Sequence, residues 1–104
     1  MSAEAAAGVK WRGDYNLLAP GEIAAFVAQV TARGYNPKAF RVTVRRATET
    51  PKGVLRYTVF VVQIWKRVPY RGKRYIGGHG ADWINEFSRS ASTNFPRSVD
   101  PWNG

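Results

Sequence analysis

The chain has no cysteine, a single histidine, no long hydrophobic run, and almost no acid in its middle. Without cysteine there can be no disulfide, no thiolate metal site and no cysteine nucleophile, and a reducing compartment is compatible with the sequence. One histidine and seven scattered carboxylates offer no metal-ligand cluster, so no metal is expected. No serine stands in a nucleophile-elbow context, and there is neither a Walker loop nor a dinucleotide fingerprint, so no cofactor is expected. The longest apolar run, Ile23 to Ala28, falls far short of the ~20 residues that span a bilayer. Met1 to Gly8 lacks the basic start and apolar stretch of a secretory signal. A soluble, cytoplasmic protein with no membrane contact is the expectation.

The missing acid leaves a block of charge. Twelve of the sixteen basic residues fall between Arg33 and Arg74, against one acid, Glu49, for a local net of +11. Each flank nets −1, so the whole formal +9 of the chain resides in this segment. Such a field attracts polyanions and speeds their encounter without dictating a fold. Eight of the twelve are arginines, whose planar guanidinium suits phosphate and stacks on bases. Aromatics are abundant too, at 13%, more than a core of this size requires. They suit cores, interfaces and stacked bases alike.

At 104 residues the chain is expected to form one domain, since compact domains cluster at roughly 100–150 residues. Residues 1–19 read as a partly ordered leader whose Val9, Trp11, Tyr15, Leu17 and Leu18 could dock it, residues 20–91 as the α+β domain, and residues 92–104 as an irregular tail. Pro20 suits a first helical position, and Ile23, Phe26, Val27 and Val30 form one apolar stripe. Glu22 and Arg33 complement the helix dipole, Gly34 ends the helix and Pro37 prevents its resumption. Phe40, Val42 and Val44 then alternate with Arg41, Thr43 and Arg45, predicting a strand with one apolar and one basic face. After a loop from Ala47 to Gly53, a second strand from Val54 to about Lys66 is apolar on both parities. That pattern belongs to a central strand or one covered on both sides. Pro69 to Lys73 reads as a turn, with a third strand beginning near Arg74. A short helix follows, with Trp83, Ile84, Phe87 and Ala91 on one side. The expected fold is α+β, order α-β-β-β-α: a small antiparallel three-stranded sheet with both helices on one face.

That order resembles the double-stranded RNA-binding domain, and the passage Gly34, Tyr35, Pro37, Phe40 is similar in outline. The family's second helix begins with lysines that grip phosphate; the matching positions here are His79, Gly80, Ala81 and Asp82. The first helix also lacks polar groups placed to enter a minor groove. The likeness is one of topology, which does not carry function with it.

Three readings of function follow. The first is a non-enzymatic nucleic-acid binder, with Arg41, Arg45 and Arg56 as a strand-face set and Lys66, Arg67, Arg71, Lys73 and Arg74 as a turn set. Tyr70, in the expected turn, would stack or hydrogen-bond; Tyr57 and Trp65 read as core. Gly77, Gly78, His79 and Gly80, between strand and helix, could converge backbone N–H groups on an anion, or serve only a tight turn. The second reading is a protein-interaction module of the phage or mobile-element inhibitor kind. It would use Phe60, Val62 and Ile64 against an acidic or nucleic-acid-processing partner, or in a homodimer. The third is a small ribonuclease using His79 as general acid or base. The position of Phe60, Val62 and Ile64, under the leader or exposed, separates a purely electrostatic surface from a mixed one.

Overall fold

The computed structural model describes residues 8–46, 56–78 and 81–96. Its elements in chain order are β1 (Lys10–Gly13), α1 (Pro20–Ala32), β2 (Phe40–Arg46), β3 (Arg56–Trp65), β4 (Val68–Gly78) and α2 (Trp83–Asn94). Single 3₁₀ turns at Tyr15–Leu17 and Pro37–Ala39 precede α1 and β2. The loop expected over Ala47–Gly53 lies outside the described residues.

Helix α1 starts and stops on local chemistry. Pro20 occupies its first turn, where a missing N–H costs no hydrogen bond, and Glu22 Oε2 accepts the Ala19 N–H at 2.8 Å. Its end is a Schellman motif. Gly34 takes φ +84, so the Tyr35 N–H reaches Val30 O and the Gly34 N–H reaches Thr31 O, both at 3.0 Å. Ile23, Phe26 and Val30 are the buried stripe. In α2, Asp82 caps the N-terminus by accepting the Asn85 N–H at 3.0 Å, and Trp83, Phe87 and Ala91 recur at i, i+4, i+8 to face the core.

The sheet has four strands, ordered β1-β2-β3-β4, where three were expected, and it is not wholly antiparallel. β1 pairs parallel to β2, because the connection between them is the crossover through α1, while β2–β3 and β3–β4 are antiparallel. The extra strand was hidden by its brevity. Lys10, Trp11, Arg12 and Gly13 carry one inward side chain, too few to display an alternation.

Both helices cover the same face of the sheet. Phe26 of α1 meets Trp11 and Phe40 edge-on, at 5.8 and 6.3 Å between centroids; Phe87 of α2 packs against Phe40 and Tyr75 at 6.3 Å. Phe26, Phe40, Phe87 and Phe95 are wholly buried, each contributing about 1.5–3 kcal/mol of transfer free energy. Val9, Trp11 and Leu18 belong to this core. At the other end α2 continues three residues into the stretch read as tail, and Phe95 closes the core behind it. Gln63, the buried polar residue of β3, donates from Nε2 to Pro96 O at 2.9 Å and ties that end to the sheet. Among the described residues, no helix is long and apolar enough to cross a membrane.

Candidate nucleic-acid interface

Among the described residues, no helix or strand lies over the second face of the sheet. Across it Lys10, Arg41, Val62 and Gly72 stand in one row; Arg12, Thr43, Phe60 and Arg74 in the next; Arg45, Thr58 and Ile76 in a third. Arg56 and Ile64, at the two ends of β3, share the same parity. Phe60, Val62 and Ile64 are half-buried and Ile76 is 45% exposed. The described part of the N-terminal segment, from residue 8, does not cover them: its Trp11 turns to the helix side and packs on Phe26.

None of these positions is acidic. The described acids are Asp14, Glu22, Asp82 and Glu86; Glu22 and Glu86 lie in the helices, and Asp82 caps α2. Lys10 stands directly opposite Arg41, an arrangement of like charges that weakens a strand pair. The cations converge further where β1, β2 and the β3–β4 turn meet. There Lys10, Arg12, Lys38, Arg41, Ile64, Lys66 and Arg67 line a basin of about 400 Å³, six cations and one apolar side chain without a carboxylate. Lys38 is delivered by the 3₁₀ turn before β2, which the Asn36 Oδ1 holds by accepting the Lys38 N–H at 3.0 Å.

The tip of the β3–β4 hairpin differs from its expected form. Residues Pro69 to Lys73 are not a turn but part of the eleven-residue strand β4; the turn is Lys66–Arg67, between the paired Trp65 and Val68. Both turn residues have positive φ, +53 and +68, the signature of a type I′ turn. Asn-Gly is the usual solution there, and a side-chain-bearing residue in the left-handed region costs roughly 1–2 kcal/mol. The periodicity misplaced the turn because Pro and Gly in PYRGK mimic turn chemistry. Pro69 instead sits on an edge strand, and Tyr70 occupies an irregularity in register near Gln63 and Ile64.

Straightening that segment divides the expected turn set between two faces. Arg74 lies opposite Phe60 on the open side, whereas Arg71 and Lys73 lie opposite Gln63 and Val61, which face the helices. Arg41, Lys66 and Arg67 meet in the basin; Arg45 and Arg56 stand exposed at the far end of the same face. Trp65, read as core, is 40% exposed, and its ring meets Tyr70 edge-on at 5.5 Å. Lys66 Nζ lies 5.0 Å from the Trp65 centroid and the Arg71 guanidinium 5.3 Å from that of Tyr70, both within cation–π range. Lys10, Arg12 and Lys38 join the site only through the fold.

A second cleft, about 520 Å³, runs between β4 and α2 and is lined by Lys73, Arg74, Tyr75, Glu86, Arg89, Ser90 and Asn94. Glu86 among its cations makes it the weaker anion site. Burial raises the Tyr75 pKa, against the partial opposition of Ser90 and Asn94. Tyr57, on the helix side, donates to Glu22 Oε1 at 2.7 Å, and burial together with that carboxylate pushes its phenol well above the ordinary tyrosine range. Gly77 and Gly78 are the last residues of β4; His79 and Gly80 lie outside the described residues. At Gly77 a Cβ would strike the Tyr57 and Trp83 rings, so that glycine makes room for aromatic packing. Among the described residues no three His, Cys, Asp or Glu stand together as a metal site.

Compared with protein-family models, with curated proteins and with solved structures, the chain matches none of them.

Proposed function

We propose that this is a non-enzymatic nucleic-acid-binding protein that takes the phosphate backbone on the open face of its sheet. One observation carries the reading: six cations converge on one basin with no acid among the described residues that line it. Cations brought together without counter-charges repel one another, and a polyanion relieves that repulsion while releasing its own condensed counterions. The turn points the same way. Lys66 and Arg67 hold a conformation in which Gly is cheaper, and residues kept in strained backbone cluster at functional sites.

A homodimer through this face is disfavoured by the same charges. Stacking two copies would set Arg12, Arg41, Arg45 and Arg74 of one against those of the other. The test is the double variant Arg41→Glu/Arg67→Glu, titrated with a labelled DNA oligonucleotide over a range of salt. Weaker binding is expected, with the slope of log affinity on log salt reduced by about 2, one unit for each phosphate no longer neutralised. An unchanged slope would sink the assignment.

A further inference from the structure

Resting on the nucleic-acid reading, we infer that the ligand is single-stranded, its bases laid on the apolar stripe of β3 and β4 and its phosphates turned outward to the cationic rims. The stripe is Phe60, Val62 and Ile64 with Ile76 beside it. Lys10, Arg12, Arg41 and Arg45 flank it on the β1–β2 side, Arg74 on the β4 side, with Lys66 and Arg67 at the tip. The middle row makes the arrangement plain, since Phe60 lies between Thr43 and Arg74, with Arg12 beyond Thr43. Splayed bases give such a stripe π-faces to cover it, and their phosphates fall where the guanidinium groups are.

A duplex fits this surface poorly on two counts. Its outside is phosphate, and pressing phosphates on Val62, Ile64 and Ile76 strips their hydration without supplying a partner. Its major groove, about 12 Å wide, admits a helix or a two-stranded ribbon, whereas four strands span roughly 14 Å at ~4.8 Å each. The hairpin tip alone does not solve this. Gln63 still pairs with Phe40 of β2, so only Ile64 and Trp65 of β3 extend beyond. That is about 7 Å of ribbon, less than the groove's depth of about 8.5 Å. An acidic protein segment would satisfy the rims but leave the stripe without planar partners.

The experiment compares labelled oligothymidylate with a mixed-sequence DNA duplex of equal length by fluorescence anisotropy at fixed salt. The single strand is expected to bind at least tenfold more tightly. Phe60→Ala should weaken oligothymidylate binding by roughly 5- to 100-fold, the worth of one stacked base, with the salt slope unchanged. Phe60→Tyr should bind like the parent protein. Circular dichroism checks that Phe60→Ala folds; if it does not, Ile76→Ala, at an exposed position, serves in its place and should weaken binding severalfold. A duplex bound as tightly as the single strand would overturn the inference. So would an aromatic-to-alanine variant without effect while Arg41→Glu/Arg67→Glu still weakens binding; either result leaves the nucleic-acid reading standing. Failure of both probes to bind, or displacement by polyglutamate as effective as by unlabelled strand, would overturn both.

Discussion

Tyr57 shows how much a single side chain organises on the helix side. Its ring lies under Gly77, its hydroxyl donates to Glu22, and the other oxygen of that carboxylate accepts the Ala19 N–H at the start of α1. Strand β3 and the helix entry are therefore joined through one carboxylate. Tyr57→Phe is expected to destabilise the fold by about 1.5 kcal/mol, the ordinary worth of a hydrogen bond to a charged group, measured by urea unfolding. The alkaline side follows from the raised pKa of Tyr57. The native state keeps the phenol proton, while unfolded tyrosines release theirs near 10. Stability from this group is intact below pH ~10 and declines above it, as the unfolded chain loses a proton that the folded one retains. The melting temperature should fall above pH 10, and less steeply in Tyr57→Phe. Tyr75, raised in the same direction by burial, accounts for part of the remaining decline.

At the scale of elements, the proposed binding would be set against stability in the β3–β4 hairpin. Its two turn positions have positive φ and carry Lys66 and Arg67, both of which also line the basin. Replacing them by the favoured pair, Lys66→Asn/Arg67→Gly, should stabilise the protein by about 1–2 kcal/mol in urea unfolding. The same variant should bind oligothymidylate more weakly and with a shallower salt dependence. A gain in stability with no loss of affinity would show that the turn cations are merely tolerated. The long free edge of β4 is protected by similar means. Pro69 interrupts its hydrogen-bonding edge, and Arg71, Lys73 and Arg74 charge it against pairing with a second copy.

At the scale of the molecule, the charges of the described residues are segregated. The acids Glu22, Asp82 and Glu86 stay with the helical layer, while the opposite sheet face carries basic, apolar and threonine side chains and no acid among the described residues. A molecule of this kind approaches a polyanion with one side foremost, and its association slows as salt screens the field. Purified at low salt, the protein should carry excess ultraviolet absorbance from bound nucleic acid, lost on washing at high salt, and then run as a monomer on a sizing column. A clean low-salt preparation, or a stable dimer, would contradict this account.

The sequence by itself determined the two helices, the ends of α1 and the inward positions of β2, while β3, apolar on both parities, left its inward face open. Those signals are complete within a turn or a few alternating residues: Pro20 and Gly34 bound α1, and Phe40, Val42 and Val44 alternate with cations. It also showed that the charge was one block, though not where that block would go. The tertiary structure decided the rest. β1 became visible only through its pairing with β2, since four residues with one inward tryptophan carry no readable period. The basin joins Lys10 and Arg12 to Arg41 and to Lys66 and Arg67, residues far apart in the chain and adjacent only through strand register. The supposed turn set divided between two faces once Val68–Gly78 proved to be a strand, because side chains along a strand alternate sides. Local chemistry writes the elements; which cations share a surface depends on which strands pair, and pairing is settled by burying the common aromatic core.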